Sequence, residues 1–383
     1  MKRSEDRILT THVGSMVRPH DMLEQEEKAK ASGKKEDRDA HEKLIAKYVD
    51  GVVKKQAETG IDIVNDGEYG KSSWAAYIVE RVAGFDVRTD NLVPLVWLGR
   101  DLERFPEQIE MDLPEARKGR PQMACVGPIV YNDQYVKRDC RNLANSIKGL
   151  EVEGFITSVA PASAGLMTKN EHYKTEEEFV YAMADALAQE YRAIHEAGFI
   201  LQVDDAVLAN MYDYLTQQSP ETYRKWAELR IEALIYALKG IPEDRVRYHL
   251  CFGSWHVPHT TDAPLEALVD LVLRVPAGAY SIEAANPRHE HEWRVWEETK
   301  LPEGKILIPG VVTHHTVTVE HPRVVADRII RFANIVGKEN VIAGTDCGFS
   351  QSKVIERVHP KTMWAKFATL VEGAKLASQE LWV

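Results

Sequence analysis

Cysteine is scarce in this chain, with four among 383 residues: Cys125, Cys140, Cys251 and Cys347. They are too few and too scattered for a disulfide scaffold, so free or metal-bound thiols are the better reading. Long apolar runs are lacking as well. No window approaches the roughly 18 apolar residues of a membrane span, and the opening MKRSEDRILTTHVG has no apolar stretch of the secretory kind. A cytoplasmic protein with no membrane contact is expected. Excess positive charge is absent too: the formal net charge is -11, whereas a nucleic-acid partner calls for a basic surface. The one obvious charge run, Glu24 to Arg38, mixes both signs and reads as a solvated face. There is no internal repeat and no low-complexity tract.

What is present is ordinary globular material, 44% hydrophobic and 28% charged. Short β-branched runs alternate with longer helical patterns, which is the signal of βαβ units around a parallel sheet. Eight candidate strands stand out: Ile8–Ser15, Ile61–Glu68, Gly154–Ser158, Phe199–Asp205, Val246–Phe252, Ala279–Glu283, Lys305–Val312 and Val341–Asp346. Helix-like spacing fills Glu42–Thr59, Glu176–Ala197, Pro220–Leu238, Leu265–Val275, His321–Val336 and Pro360–Leu376. The expected fold is α/β, a (β/α)8 TIM barrel formed as one domain over residues 1–383. A doubly wound open sheet is the runner-up, but THVGS stands where its Gly-rich dinucleotide turn belongs. The proline-rich stretch 71–151 breaks the rhythm after the second strand. It reads as an insertion over the barrel mouth, with one strand-like run at Met123–Val130.

Chemistry collects at the strand ends, where barrel active sites lie: THVGS at 11–15, NDGE at 65–68, VDDA at 203–206, HLC at 249–251, IEAAN at 282–286, THH at 313–315 and TDCG at 345–348. His249 and Cys251 are two apart on a strand, so their side chains share a face. Glu283 ends the next strand and Cys347 follows the last, and a closed barrel aims all four at one point. That N, S, O, S set suits Zn2+ rather than magnesium or calcium. Singly, a buried cysteine is a small hydrophobe and a strand-end glutamate an ion-pair partner; the reading rests on the set. Thiolate ligands quench the Lewis acidity of zinc toward water, so such a site favours holding a substrate thiol deprotonated.

Around it, Ser15 and its neighbouring backbone N–H groups suit a carboxylate or sulfonate. Glu68, Asp204 and Asp205 suit an ammonium group, although ion pairs and helix caps would use the same acids. Arg288, in ANPRHEHEW, is a candidate anion holder, while His256 and His259 shape the pocket. The THH turn supplies a general acid, the usual task of histidine near neutral pH. Neighbours in an extended segment face opposite ways, so only one of His314 and His315 should enter the site.

These motifs resemble the catalytic barrel of cobalamin-independent methionine synthase, a zinc methyltransferase that alkylates homocysteine. TTHVGS is similar to its serine-bearing first strand, NDGE to its His-Gly-Glu, QVDDA to its Ile-Asp-Glu-Pro-Ala, HLC to its His-x-Cys, IEAAN to its glutamate ligand, GVVTHH to its histidine turn and TDCG to its Pro-Asp-Cys-Gly. The resemblance implies zinc at His249, Cys251, Glu283 and Cys347 and an amino-acid substrate at Ser15, Glu68 and Asp204. It makes His315 the general acid, and Asp205 is grouped with it as catalytic. TDCGFSQS lacks the Lys-Thr-Arg of that synthase, and CFGSWHVPHTTDAPL is similar to the Cys-x-Gly-Asn-x-x-x-Pro-His loop of a single-barrel branch that includes epoxyalkane:coenzyme M transferases.

Three functions follow. The first is methyl transfer to homocysteine in methionine biosynthesis, from methyl-tetrahydrofolate or methylcobalamin. The second is opening of an epoxide by the thiolate of coenzyme M, and the third is a non-catalytic zinc or thiol binder. Self-association into a homo-oligomer stays open.

Overall fold

The computed structural model describes residues 1–113, 118–166, 168–350, 352 and 357–383. In chain order its strands are β1 (Leu9–Thr10), β2 (Ile63–Val64), β3 (Val82–Val93), β4 (Arg120–Tyr131), β5 (Glu153–Val159), β6 (Thr168–Asn170), β7 (Ile200–Asp205), β8 (Val246–Leu250), β9 (Ala279–Glu283), β10 (Ile306–Val312) and β11 (Ile342–Thr345). Eight of them form one parallel sheet in the order β1-β11-β10-β9-β8-β7-β5-β2. The seam between β1 and β2 is bridged by the backbone N–H of Asp62, which donates to the Thr10 carbonyl at 3.1 Å. Helices intervene along the chain, so the architecture is the expected (β/α)8 barrel.

Local chemistry sets the helices. Thr175 caps the helix Glu176–Glu196 by accepting from the N–H of Glu178, and three glutamates fill the first turn beside the positive end of the dipole. Ser219 caps Pro220–Ala237 in the same way, with proline at its first position, where a missing N–H costs nothing.

Side-chain alternation builds the barrel interior. An apolar floor joins Leu9, Ile63, Phe155, Ile200, Ala279, Ile306 and Ile342. Above it lies Arg247, fully buried, with its guanidinium 3.7 Å from the centroid of the Phe155 ring. Arg247 donates to Gln202 Oε1 at 2.5 Å, to Thr11 Oγ1 at 2.9 Å and to the His12 carbonyl. Gln202 passes the network upward, donating to Asp204 Oδ1 at 2.7 Å. The strand that bears His249 and the one that bears Asp204 are thus locked together below the mouth.

Two expectations are corrected. Ile8–Ser15 and Ile61–Glu68 shrink to two-residue strands because the chain turns off the ladder early, with Gly14 at φ 136°, Gly67 at 69° and Glu68 at 59°. The insertion is also shorter than 71–151. The helix Gln134–Ser146 packs on Lys35–Thr59 and on β5 as part of the outer ring, so the departure from the barrel ends with β4. The strand-like run at Met123–Val130 lies within β4, which pairs antiparallel with β3 and parallel with β6. Residues Leu95, Trp97, Leu98 and Ile109 of this segment pack with Trp255 and Val257, in the loop after Cys251. This segment therefore packs on the loop that follows β8.

Candidate metal and thiol site

Alternation along β8 turns Arg247 and His249 inward and Tyr248 outward, and Cys251 follows on the inner side. The ligand atoms of His249, Cys251 and Cys347, all buried, lie within 4.8 Å of one another, and the two sulfurs are 3.5 Å apart. Gly253, at φ 101°, lets the chain turn so that its N–H donates to Cys251 Sγ at 3.3 Å. Ser254 Oγ donates to Cys347 Sγ at 3.2 Å. Hydrogen bonding from Cys251 holds the Cys347 thiol well below its usual range, and the same bond pushes Cys251 up. Burial works against a charge on His249, but Cys347, Asp204 and Glu283 raise its pKa nonetheless.

These residues fit zinc. A tetrahedral ion with Zn–S near 2.3 Å separates two sulfurs by roughly 3.8 Å, close to the spacing already present. Neither ring nitrogen of buried His249 has a hydrogen-bond partner, a state that native interiors avoid unless another ligand is intended.

Glu283 sits beside this trio in a second cluster. Its carboxylate lies within 4.8 Å of ligand atoms of His314 and His315, takes the Phe252 N–H at 3.0 Å and the Asn286 amide at 3.1 Å, and stands 3.7 Å from His315 Nε2. Burial opposes its charge, yet His315 and His314 hold its carboxyl far below the usual range. The fourth expected ligand thus groups with the two histidines rather than with the His249, Cys251 and Cys347 set.

Both histidines enter the site, contrary to the expectation of only one. Residues 313–316 form a bend rather than an extended strand, and the two rings lie 4.1 Å apart. Burial drives His314 well below the usual imidazole pKa.

Of the expected substrate residues, Glu68 is the most telling. Its backbone is left-handed at φ 59°, rare for a residue with a side chain. Oε1 accepts from Thr157 Oγ1 at 2.8 Å, while Oε2 is buried without a partner. Asp204 faces the same interior; burial lifts its pKa to about 7, against the pull of His249. Ser15 lies so near Gly348 that a Cβ there would come within 2.0 Å of its hydroxyl.

Asp205 is corrected. It points away from the interior, accepting from Tyr248 OH at 3.0 Å and Ser163 Oγ at 3.0 Å, because neighbours on a strand face opposite sides. Arg288 is exposed and donates to the Thr260 carbonyl at 2.9 Å. His259 is bound to Asp262 at 2.8 Å and to the Trp255 carbonyl at 3.0 Å, and His256 is half-buried. Two residues were passed over in sequence. Arg357 carries a buried Nη1 with no hydrogen-bond partner, and its charge acts on Cys347 and Cys251. Asp346 ties the strand ends of Glu283 and Cys347 together.

Residues 107–367 match the family described as the cobalamin-independent synthase catalytic domain. The chain belongs to that family. As a member of the cobalamin-independent synthases it is 24% identical over 375 residues to the methionine synthase of Saccharolobus islandicus, covering 97% of this chain and 95% of the relative. It is 23% identical over 335 residues to that of Thermococcus kodakarensis, covering 86% and 82%. In fold it is similar to a B12-independent methionine synthase from Shewanella sp. W3-18-1, solved in complex with selenomethionine, at a TM-score of 0.69 and 18% identity over 98% of this chain and 99% of that one. A putative vitamin-B12 independent methionine synthase from Listeria monocytogenes gives a TM-score of 0.64 at 19% identity, covering 96% and 98%. The span matched to the synthase family takes in His249, Cys251, Glu283, His315 and Cys347; Ser15 and Glu68 precede it. Among the described residues no helix is long and apolar enough to cross a membrane.

Proposed function

We propose that this chain is a zinc-dependent methyltransferase that alkylates the thiol of homocysteine. The observation that carries the reading is the convergence of His249 with two cysteine sulfurs 3.5 Å apart beside the unpartnered carboxylate oxygen of Glu68. His249, Cys251 and Cys347 would hold the ion, with Glu283 as its fourth ligand. When bound, zinc lowers the pKa of a coordinated thiol so that it is a nucleophile at neutral pH.

The chain's own residues do the rest. Glu68 and Asp204 take the ammonium group of the amino acid, and Ser15 its carboxylate. Phe252 and the insertion shield the reacting atoms from water. The acceptor sulfur forms a bond to the methyl carbon as the donor bond breaks, and its electron pair stays with the donor nitrogen, to which His315 delivers a proton. The names of the relatives, methionine synthases along nearly their full length, support this acceptor. Of the cations that could meet the sulfonate of coenzyme M, Arg18 and Lys71 are engaged, while the buried Arg357 Nη1 without a partner keeps that acceptor as the second reading. Arg18 donates to the carbonyls of Ser350 at 3.0 Å, Glu68 at 3.1 Å and Lys71 at 3.0 Å. Lys71 is bound to Thr157.

The test is zinc analysis followed by a screen of homocysteine and coenzyme M against methyl-tetrahydrofolate, methylcobalamin and a short epoxide. The reading expects about one zinc per chain and S-methylation of homocysteine. Full zinc retained in Cys347→Ser or Cys251→Ser would overturn the ligand set, and product from coenzyme M alone would overturn the acceptor.

A further inference from the structure

The segment from Thr313 to Glu320 leaves β10, carries both histidines of the site, and returns to the outer helix Pro360–Leu381. Glu320 closes it. Its Oε1 accepts the backbone N–H of Thr313 at 2.7 Å, seven residues back along the chain. Thr313 in turn accepts the N–H of His315 on its hydroxyl at 3.2 Å. The other carboxylate oxygen of Glu320 meets Lys366 Nζ at 2.9 Å, and Lys366 also donates to the Thr318 carbonyl at 2.5 Å. Thr369, one turn along the helix, donates to the Glu320 carbonyl at 2.7 Å. Lys366 is fully buried. A buried lysine is costly and is kept where it neutralises a buried partner.

From this geometry we infer that Glu320 and Lys366 form a clasp that sets the position of His314 and His315, making both of them positioning residues for the proton-donating step. A buried pair of this kind contributes little net stability compared with apolar residues of the same volume. Its effect here is geometric: one carboxylate joins the first and last residues of the histidine loop, and one ammonium fixes that carboxylate to the helix. Val317 and Val319 are exposed, so the outer part of the loop depends on the clasp, while its inner part is packed through buried His314. Without the clasp, His315 Nε2 is no longer held 3.7 Å from Glu283 Oε2, and a shift of about 1 Å in a reacting group costs on the order of 10²-fold in rate.

The inference rests on the proposed function, and its test separates the two. In Glu320→Ala/Lys366→Met no buried charge is left uncompensated, so the protein folds, but Thr313 loses its acceptor. In Glu320→Gln/Lys366→Met the amide oxygen keeps that acceptor. With methyl-tetrahydrofolate, whose leaving nitrogen needs a proton, the first variant should lose roughly 10- to 100-fold in kcat with KM for homocysteine and zinc content unchanged, and the second should recover only part of it, because its carboxamide still accepts from Thr313 but is no longer anchored to the helix by Lys366. With a methylsulfonium donor, whose leaving thioether needs no proton, both variants should match the wild type. Equal losses with both donors, or wild-type kcat in the alanine variant, would overturn the clasp. If the wild type methylates nothing, the proposed function fails, and amide exchange at Thr313 and His315 still decides the clasp: exchange unchanged in the alanine variant rejects it.

Discussion

Asp346 Oδ1 accepts the backbone N–H of Ala284 at 2.7 Å and also that of Ala285 at 2.9 Å. One residue before Cys347 thus fixes the chain one residue after Glu283, and a Cβ on Gly310 would sit 2.4 Å from Asp346. Glycine at 310 is what permits this approach. Because outer-sphere groups orient ligands, Asp346→Ala should weaken zinc binding by about 10- to 100-fold, measured by competition with a chelator. Asp346→Asn keeps an acceptor oxygen and should stay near the wild type. Equal affinities for Asp346→Ala and the wild type would remove Asp346 from this role.

Asp204 and Asp205 are adjacent in sequence and opposite in orientation. Asp204→Asn removes a buried charge from the acceptor pocket and should lower kcat/KM for homocysteine on the order of 10²-fold. Asp205→Asn should leave it unchanged. Burial raises the Asp205 pKa to about 6, above the ordinary carboxyl value of 3.8. A raised folded-state pKa means that the stabilisation is complete below 3.8 and is lost as pH rises through about 6. Chemical denaturation across that window should show the wild type losing stability relative to Asp205→Asn, and parallel curves would contradict the assignment.

The eight barrel strands and the ring of chemistry at their ends were legible because βαβ alternation and strand-end placement are local patterns. Ala279–Glu283 appears with its expected bounds, and Val246–Leu250 within two residues. Asp205 departs from the expectation because period-2 alternation turns the two acids of VDDA to opposite faces, just as it turns His249 and Cys251 to the same one. The histidine pair departs for the opposite reason, since residues 313–316 bend and alternation does not hold there. β3 escaped notice because Asp86, Arg88, Asp90 and Asn91 interrupt its apolar pattern, and only pairing with β4 makes it a strand. Arg357, Glu320 and Lys366 carry no motif; tertiary packing alone assigns them a place.

His289 stacks on Phe252, centroids 3.7 Å apart, and bridges Asp262 at 3.0 Å and Glu292 at 2.9 Å. Burial disfavours its charge, but the two carboxylates prevail and raise its pKa from 6.5 to about 10. Its contribution is therefore complete below pH 6.5 and is lost as pH rises through about 10. The stability gap between wild type and His289→Asn, read from urea midpoints at pH 6, 8 and 10, should shrink with rising pH. A constant gap would show that His289 is not charged in the folded protein.

Arg81 lies buried between Asp139, at 2.6 Å, and Glu190, at 3.2 Å, and so ties the start of the insertion to two outer helices of the barrel. Glu190 also accepts from Tyr77 OH at 2.6 Å, from Ser158 Oγ at 2.9 Å and from Tyr131. Removing the guanidinium strands Glu190, whereas Asp139 keeps Arg138 at 2.9 Å. Arg81→Met should therefore destabilise by about 3–5 kcal/mol in denaturant titration. Adding Glu190→Gln should return much of that loss, since the amide oxygen still accepts from the hydroxyls and no lone charge remains. If the two losses simply add, the cost of Arg81→Met lies in packing against Tyr77, whose ring centroid is 4.6 Å from the guanidinium, and not in the stranded carboxylate.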